Sequence, residues 1–136
     1  MLGRSRILVI DDSELVLRRV RLRLEAEGYE VVATSQVVGI GRLLVGCDLC
    51  LIDFHMPGID GADVLRSLRA ASHDSEHAPL FYLYSSDRTC GAKFRMAGFD
   101  GAIGDKGDDD ALVEQVDAAL RIVRLKQFAR RKGAGR

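Results

Sequence analysis

At 136 residues, with 47% hydrophobic and 29% charged residues, the chain has the size and mixture of one domain able to bury its own core. No apolar run approaches the ~20 residues that cross a bilayer, and the first residues carry Arg4 and Arg6 without the apolar stretch of a secretory signal. The expectation is therefore a cytoplasmic chain with no membrane attachment. Net charge is zero, yet seven of the twenty Lys and Arg lie from Arg121 onward, where no acid occurs, so an acidic body precedes a basic end and no direct nucleic-acid contact is expected of the body.

Ile7 to Ile10 is a continuous apolar run, the mark of a strand buried on both faces, and it stops in Asp11-Asp12. Asp12 or Ser13 can cap a helix that follows, in which Leu17, Val20 and Leu24 recur on one face, and Gly28 ends it. Glu30 to Thr34 reads as a second strand, and Gln36 to Val45 as a weaker helix interrupted by Gly39 and Gly41. Asp48 to Asp53 reads as a third strand. It is followed by His55-Met56-Pro57-Gly58, where proline and glycine end regular structure, so Asp53 is presented on a loop at a strand end.

Asp60 and Gly61 open a helix with Val64, Leu65 and Leu68 as its apolar stripe, and residues 71–78 form a polar loop. Leu80 to Tyr84 is a fourth strand, Thr89 to Ala97 a short helix, and Gly101 to Ile103 a brief fifth strand. Asp108 to Asp110 place acids at the start of a last helix that runs past Leu125, with Ile122, Leu125 and Phe128 or Ala129 at helical spacing. Five strands alternating with five helices specify an α/β fold, a doubly wound parallel sheet with right-handed crossovers. We divide the chain into a domain, residues 1–125, and a basic extension of the last helix, residues 126–136.

In such sheets the carboxyl ends of the strands form the ligand edge. Asp11, Asp12 and Asp53 converge there if the first and third runs are neighbouring strands. Three carboxylates in a partly desolvated cleft repel one another unless a cation lies among them, and Mg²⁺, which prefers oxygen ligands and keeps several waters, suits the set. Cys47 and Cys50 have the spacing of a redox or zinc pair, but three cysteines in all and a helix-to-strand setting favour buried core thiols. His73 and His77 fall in a polar loop and read as solvated side chains rather than metal ligands.

The acidic pair Asp11-Asp12, the stretch Asp53-Phe54-His55-Met56-Pro57-Gly58-Ile59-Asp60-Gly61, Ser85-Ser86 after the fourth run and Lys106 together resemble a response-regulator receiver domain, over roughly residues 6–125. The resemblance implies a CheY-like, flavodoxin-like sheet of strand order 2-1-3-4-5. It implies Asp53 as phosphoacceptor, with Asp12 and Asp53 binding Mg²⁺ directly, Asp11 through water, and the His55 backbone carbonyl completing the protein's ligands. Ser85 and Lys106 would contact the phosphoryl group. A histidine kinase or phosphotransfer protein would supply that group, a downstream protein target would read it, and a second copy of the chain is a further candidate partner. No turnover enzyme is implied.

Three positions depart from the family pattern. One extra residue after Pro79 makes Tyr84 compete with Ser85 for the hydroxyl position. Counted from Gly98, the lysine position falls on Asp105, and a one-residue bulge is needed to restore Lys106. Ala102 stands where a switching aromatic is usual. These departures keep a second reading open, a pseudo-receiver that binds partners without phosphorylation. A metal-dependent hydrolase would want Asp-x-Asp after the first strand, and a flavin-binding relative would want a Ser/Thr/Gly-rich phosphate loop; Asp11-Asp12-Ser13-Glu14 is neither.

Overall fold

The run at Ile7 forms β1 (Arg6–Ile10), which leads through Ser13 into α1 (Glu14–Ala26) and back along β2 (Glu30–Thr34). One 3-10 turn at Gly41–Leu44 precedes β3 (Leu49–Ile52). A two-residue antiparallel pair, β4 (His55–Met56) with β5 (Ile59–Asp60), then delivers the chain to α2 (Gly61–Ser72). After β6 (Leu80–Tyr84) and β7 (Gly101–Ile103) comes α3 (Asp109–Ala134). The computed structural model describes residues 4–53, 55–56, 59–72, 78–85, 98–104 and 106–134, with the side chains of 55, 56, 59 and 130–134 excepted. The helix expected at Thr89–Ala97, together with Ser86, Cys90, the two loop histidines and Asp105, lies outside the described residues.

The large sheet is parallel throughout, in the order β2-β1-β3-β6-β7, which is 2-1-3-4-5 when only its five strands are counted. Register runs straight across its centre, Ile10 opposite Ile52 and Ile52 opposite Leu83. Alternation splits the strand residues between two cores. Ile7, Val9, Leu49, Leu51, Leu80, Tyr84 and Ile103 pack against Leu17, Val20 and Leu24 of α1 and Leu112, Val116, Leu120 and Val123 of α3. Leu8, Ile10, Cys50, Ile52, Phe81 and Leu83 pack against Val64, Leu65 and Leu68 of α2, with Ile40, Leu44 and Phe99.

Local chemistry starts and stops the helices. The Ser13 hydroxyl accepts from the Val16 N–H at 3.3 Å, Asp60 accepts from Ala62 at 2.9 Å, and Asp108 accepts from Ala111 at 3.0 Å, so each helix opens on a side-chain cap. Gly28 adopts φ +95°, a left-handed conformation that costs a residue with a side chain, and α1 ends there.

The weak helix expected over residues 36–45 does not form. Gly39 takes φ +71°, which breaks a right-handed helix, and only Gly41–Leu44 coils. Gly41 is needed for a second reason: a Cβ there would come 2.9 Å from the Ala71 methyl, so glycine lets this turn lie against α2. α2 itself continues to Ser72, two residues into the stretch expected to be loop. The last helix runs without a break to Ala134. Val123 is buried, while Ile122, Leu125 and Phe128 are exposed, so the apolar stripe at this end is mostly unburied.

Candidate functional site

Asp11 and Asp53 occupy equivalent places, one step beyond β1 and β3. The sheet ladder is carried through both, because the Asp11 N–H bonds Thr34 O at 3.2 Å and the Asp53 N–H bonds Ile10 O at 2.9 Å. Both side chains are buried, and Asp12 is exposed at the mouth between them. Carboxylate oxygens of Asp11, Asp12 and Asp53 all lie within 4.8 Å of one another. Such crowding of like charge in a low-dielectric place is unfavourable unless cations compensate it.

One compensating cation is Lys106. Its Nζ lies 2.5 Å from Asp11 Oδ2 and 3.4 Å from Asp53 Oδ1, and its side chain is only 14% exposed. Asp11 uses its other oxygen to accept the Ser13 N–H at 2.9 Å, which folds the chain from β1 into α1. Its Oδ2 is buried and, despite the nearby ammonium, has no hydrogen bond of good geometry among the described residues. Counted over the described residues, three carboxylates meet one ammonium at the mouth.

Tyr84 and Ser85 take different places. Tyr84 ends β6 at the level of Asp53, with its ring in the core of the α1 and α3 face and its buried hydroxyl near the Arg19 guanidinium, without a hydrogen bond of good geometry among the described residues. Burial pushes its phenol pKa up, and the neighbouring Arg19 guanidinium opposes that shift. The Lys106 ammonium sits over the ring, 5.3 Å from its centre. The ring of Tyr84 therefore floors the lysine's position. Ser85 is the next residue, buried, with its N–H bonded to Ile103 O at 3.3 Å. His55 begins β4, two residues beyond Asp53, opposite Asp60.

Arg19 did not stand out in the sequence, where it is one of several arginines on α1. In the structure its Nη2 donates to the Lys106 carbonyl at 2.8 Å and its Nε to Asp109 Oδ1 at 3.1 Å. No local pattern signals a contact with partners that far along the chain. Ala102 lies partly buried against the α2-side core, opposite Leu83. The two thiols expected in the core are there: burial raises Cys47 to about 11 and Cys50 well above the usual thiol range.

Residues 7–117 match the family model described as the response regulator receiver domain. The regulatory protein ResD of Bacillus subtilis is 30% identical over 130 residues, which cover 93% of this chain and 49% of that protein. PrrA of Mycobacterium leprae is 32% identical over 133 residues, 95% of this chain and 52% of that protein, and PleD of Caulobacter vibrioides is 30% identical with only 27% of its length covered. The chain thus spans about half or less of the curated relatives it matches. Among solved structures, the chemotaxis protein CheY4 of Vibrio cholerae superposes with a TM-score of 0.74 at 16% identity, covering 86% of this chain and 99% of that one. The response regulator TrrA of Thermotoga maritima, solved in complex with Mg(2+)-BeF, gives 0.70 at 25% identity over 85% of this chain and 98% of that one.

Proposed function

The chain belongs to the response regulator receiver domains, and from that premise we propose that it is a phosphoacceptor module in which Asp53 receives a phosphoryl group. Receiver domains are signalling modules of two-component systems rather than turnover enzymes, and they work between histidine kinases or phosphotransfer proteins and downstream effectors. They bind Mg²⁺ through an acidic cluster. The observation that carries the reading is the meeting of Asp11, Asp12 and Asp53 within 4.8 Å at the ligand edge of the sheet, with the Lys106 ammonium beside two of them.

The donor set fits Mg²⁺. It is all oxygen, Asp12 opens it to solvent, and the buried Oδ2 of Asp11 has the Lys106 ammonium as its close partner among the described residues, a position the ion would share with that cation. Asp11, Asp12, Asp53 and the His55 carbonyl would hold the ion, which when bound neutralises charge on the transferring phosphoryl oxygens. An Oδ of the Asp53 carboxylate forms the new bond to phosphorus as the bond from phosphorus to the donor atom breaks, and the donor leaves with that electron pair. Lys106 supplies a positive charge to the phosphoryl oxygens, and Ser85 is the nearer of the two hydroxyl candidates in kind, because the Tyr84 phenol is sunk in the core. On this reading, exchange with a histidine kinase would keep the domain in the cytoplasm, and residues 126–136 form a basic extension after it.

Ala102 favours a second reading, a pseudo-receiver whose surface does not respond to the acceptor. Its methyl lies against the α2-side core and offers no ring to reorient. Backbone NMR on adding beryllofluoride and Mg²⁺ separates the two. The phosphoacceptor reading expects shifts at Asp11 to Ser13 and Asp53 that continue into β7 and the start of α3. Shifts confined to the acidic loops favour the pseudo-receiver, and no shifts at all contradict an acceptor at Asp53.

A further inference from the structure

We propose that Arg19 is a positioning residue for Lys106, fixing the turn between β7 and α3 so that a lysine displaced by one residue still delivers its ammonium to the acidic cluster. The inference rests on the phosphoacceptor reading above.

Lys106 needs such a device. Gly104 and Gly107 flank the turn, and a Cβ built on either would meet nothing within 4 Å, so packing at these two positions does not fix the turn. β7, which feeds the turn, is three residues long and, among the described residues, pairs only with β6. The lysine stands one residue later than the family spacing, so the usual path of the turn would not carry it to the same point.

Arg19 supplies what is missing. Its guanidinium is a rigid planar fork, and the two donors go to two consecutive features of the turn: Nη2 to the Lys106 carbonyl at 2.8 Å and Nε to Asp109 in the first turn of α3 at 3.1 Å. The fork therefore fixes the lysine's own peptide relative to the helix that follows. Arg19 is anchored on α1, whose preceding loop is itself held by the Asp11 carboxylate through the Ser13 N–H. The acid and the base that must meet are thus both referred to the same short stretch of chain. Nζ then lies over the Tyr84 ring, 2.5 Å from Asp11 and 3.4 Å from Asp53. Side-chain exposures of 35% and 33% make the Arg19–Asp109 pair a small contributor to stability, so its effect is one of orientation.

The test is a cycle on the full chain with Arg19→Ala, Lys106→Ala and both together, read as the rate of phosphorylation by acetyl phosphate with Mg²⁺ and, separately, as Mg²⁺ affinity. Arg19→Ala should slow phosphorylation about tenfold or more, yet change the rate by less than about twofold once Lys106 is alanine. Arg19→Lys, which keeps the charge without the fork, should fall between Arg19→Ala and the parent. In the metal titration both single variants should bind Mg²⁺ several-fold more tightly, because the ion no longer competes with an ammonium at Asp11, and the double variant should add nothing. Equal slowing by Arg19→Ala in both backgrounds, a parental rate for Arg19→Lys, or unchanged metal affinity in Arg19→Ala would overturn the proposal. Failure of the underlying reading looks different: the parent then takes no phosphoryl group, or Lys106→Ala leaves its rate unchanged, and the positioning role falls with it.

Discussion

Asp11 and Asp53 are held by the sheet itself, whereas Lys106 is held by a helix from the other end of the chain. The acidic half of the site leaves the two central strands directly, with backbone hydrogen bonds carried one step past each strand. The basic half arrives at the end of an edge strand of three residues, between two glycines, and depends on the Arg19 contacts. α1 and α3 are tied elsewhere too, by Arg23 to Asp110 at 2.9 Å and by the Tyr29 hydroxyl to Asp117. A site assembled this way has one half whose geometry comes with the fold and another that can be adjusted, or lost, by changing a distant contact.

The largest expected effect breaks the acidic half. Asp12→Ala should remove the spectral and thermal response to Mg²⁺ while leaving the fold intact, since Asp12 is exposed and takes no part in the strand ladder; calorimetric titration checks it. Next, Leu51→Ala, in the strand that presents Asp53, should destabilise the domain by about 2 to 5 kcal/mol, because the residue is fully buried and leaves a cavity. Urea unfolding reads this loss, and a smaller value would mean that the sheet centre is less rigid than the comparison requires.

Smaller effects belong to the adjustable half. Tyr29→Phe should cost about 1 kcal/mol by removing the hydrogen bond to Asp117. Burial first, and Asp117 second, raise the Tyr29 phenol from 10.0 to about 12. A raised folded value means that its contribution is fully present below pH 10 and is lost as pH climbs toward 12, so the parent and Tyr29→Phe should converge in stability over that window. Smallest is Tyr84→Phe, which deletes a buried hydroxyl without a well-formed hydrogen bond among the described residues and should leave stability unchanged or raise it by up to about 1 kcal/mol. A clear loss instead would show that the hydroxyl bonds Arg19 in solution.

What was readable in the sequence follows the same division. The apolar runs ending in Asp11 and Asp53 are contiguous signals, and the strands came from them, while the strand order, and with it the meeting of the three acids, came from the resemblance to receiver domains. The cap residues Ser13, Asp60 and Asp108 also act within a few positions of themselves. By contrast, the turn at Gly41 exists because of a close approach to Ala71, and the reach of Lys106 depends on Arg19, contacts that no local pattern encodes. Tyr84 against Ser85 was undecidable for a related reason: every residue of Leu80 to Tyr84 is apolar or aromatic, so the strand carries no alternation to say which side faces which core. The helix expected over residues 36–45 failed where a glycine adopted a left-handed conformation, a choice the spacing of apolar residues does not register.

The central claim is that Asp53 is the acceptor and that the acids around it make it so. Intact mass after incubation with acetyl phosphate and Mg²⁺ tests it most directly, with the parent and Asp53→Asn side by side. The account predicts the added mass of one phosphoryl group in the parent, its loss when Mg²⁺ is withheld, and its absence in Asp53→Asn. The same added mass in Asp53→Asn, or none in the parent, would contradict it.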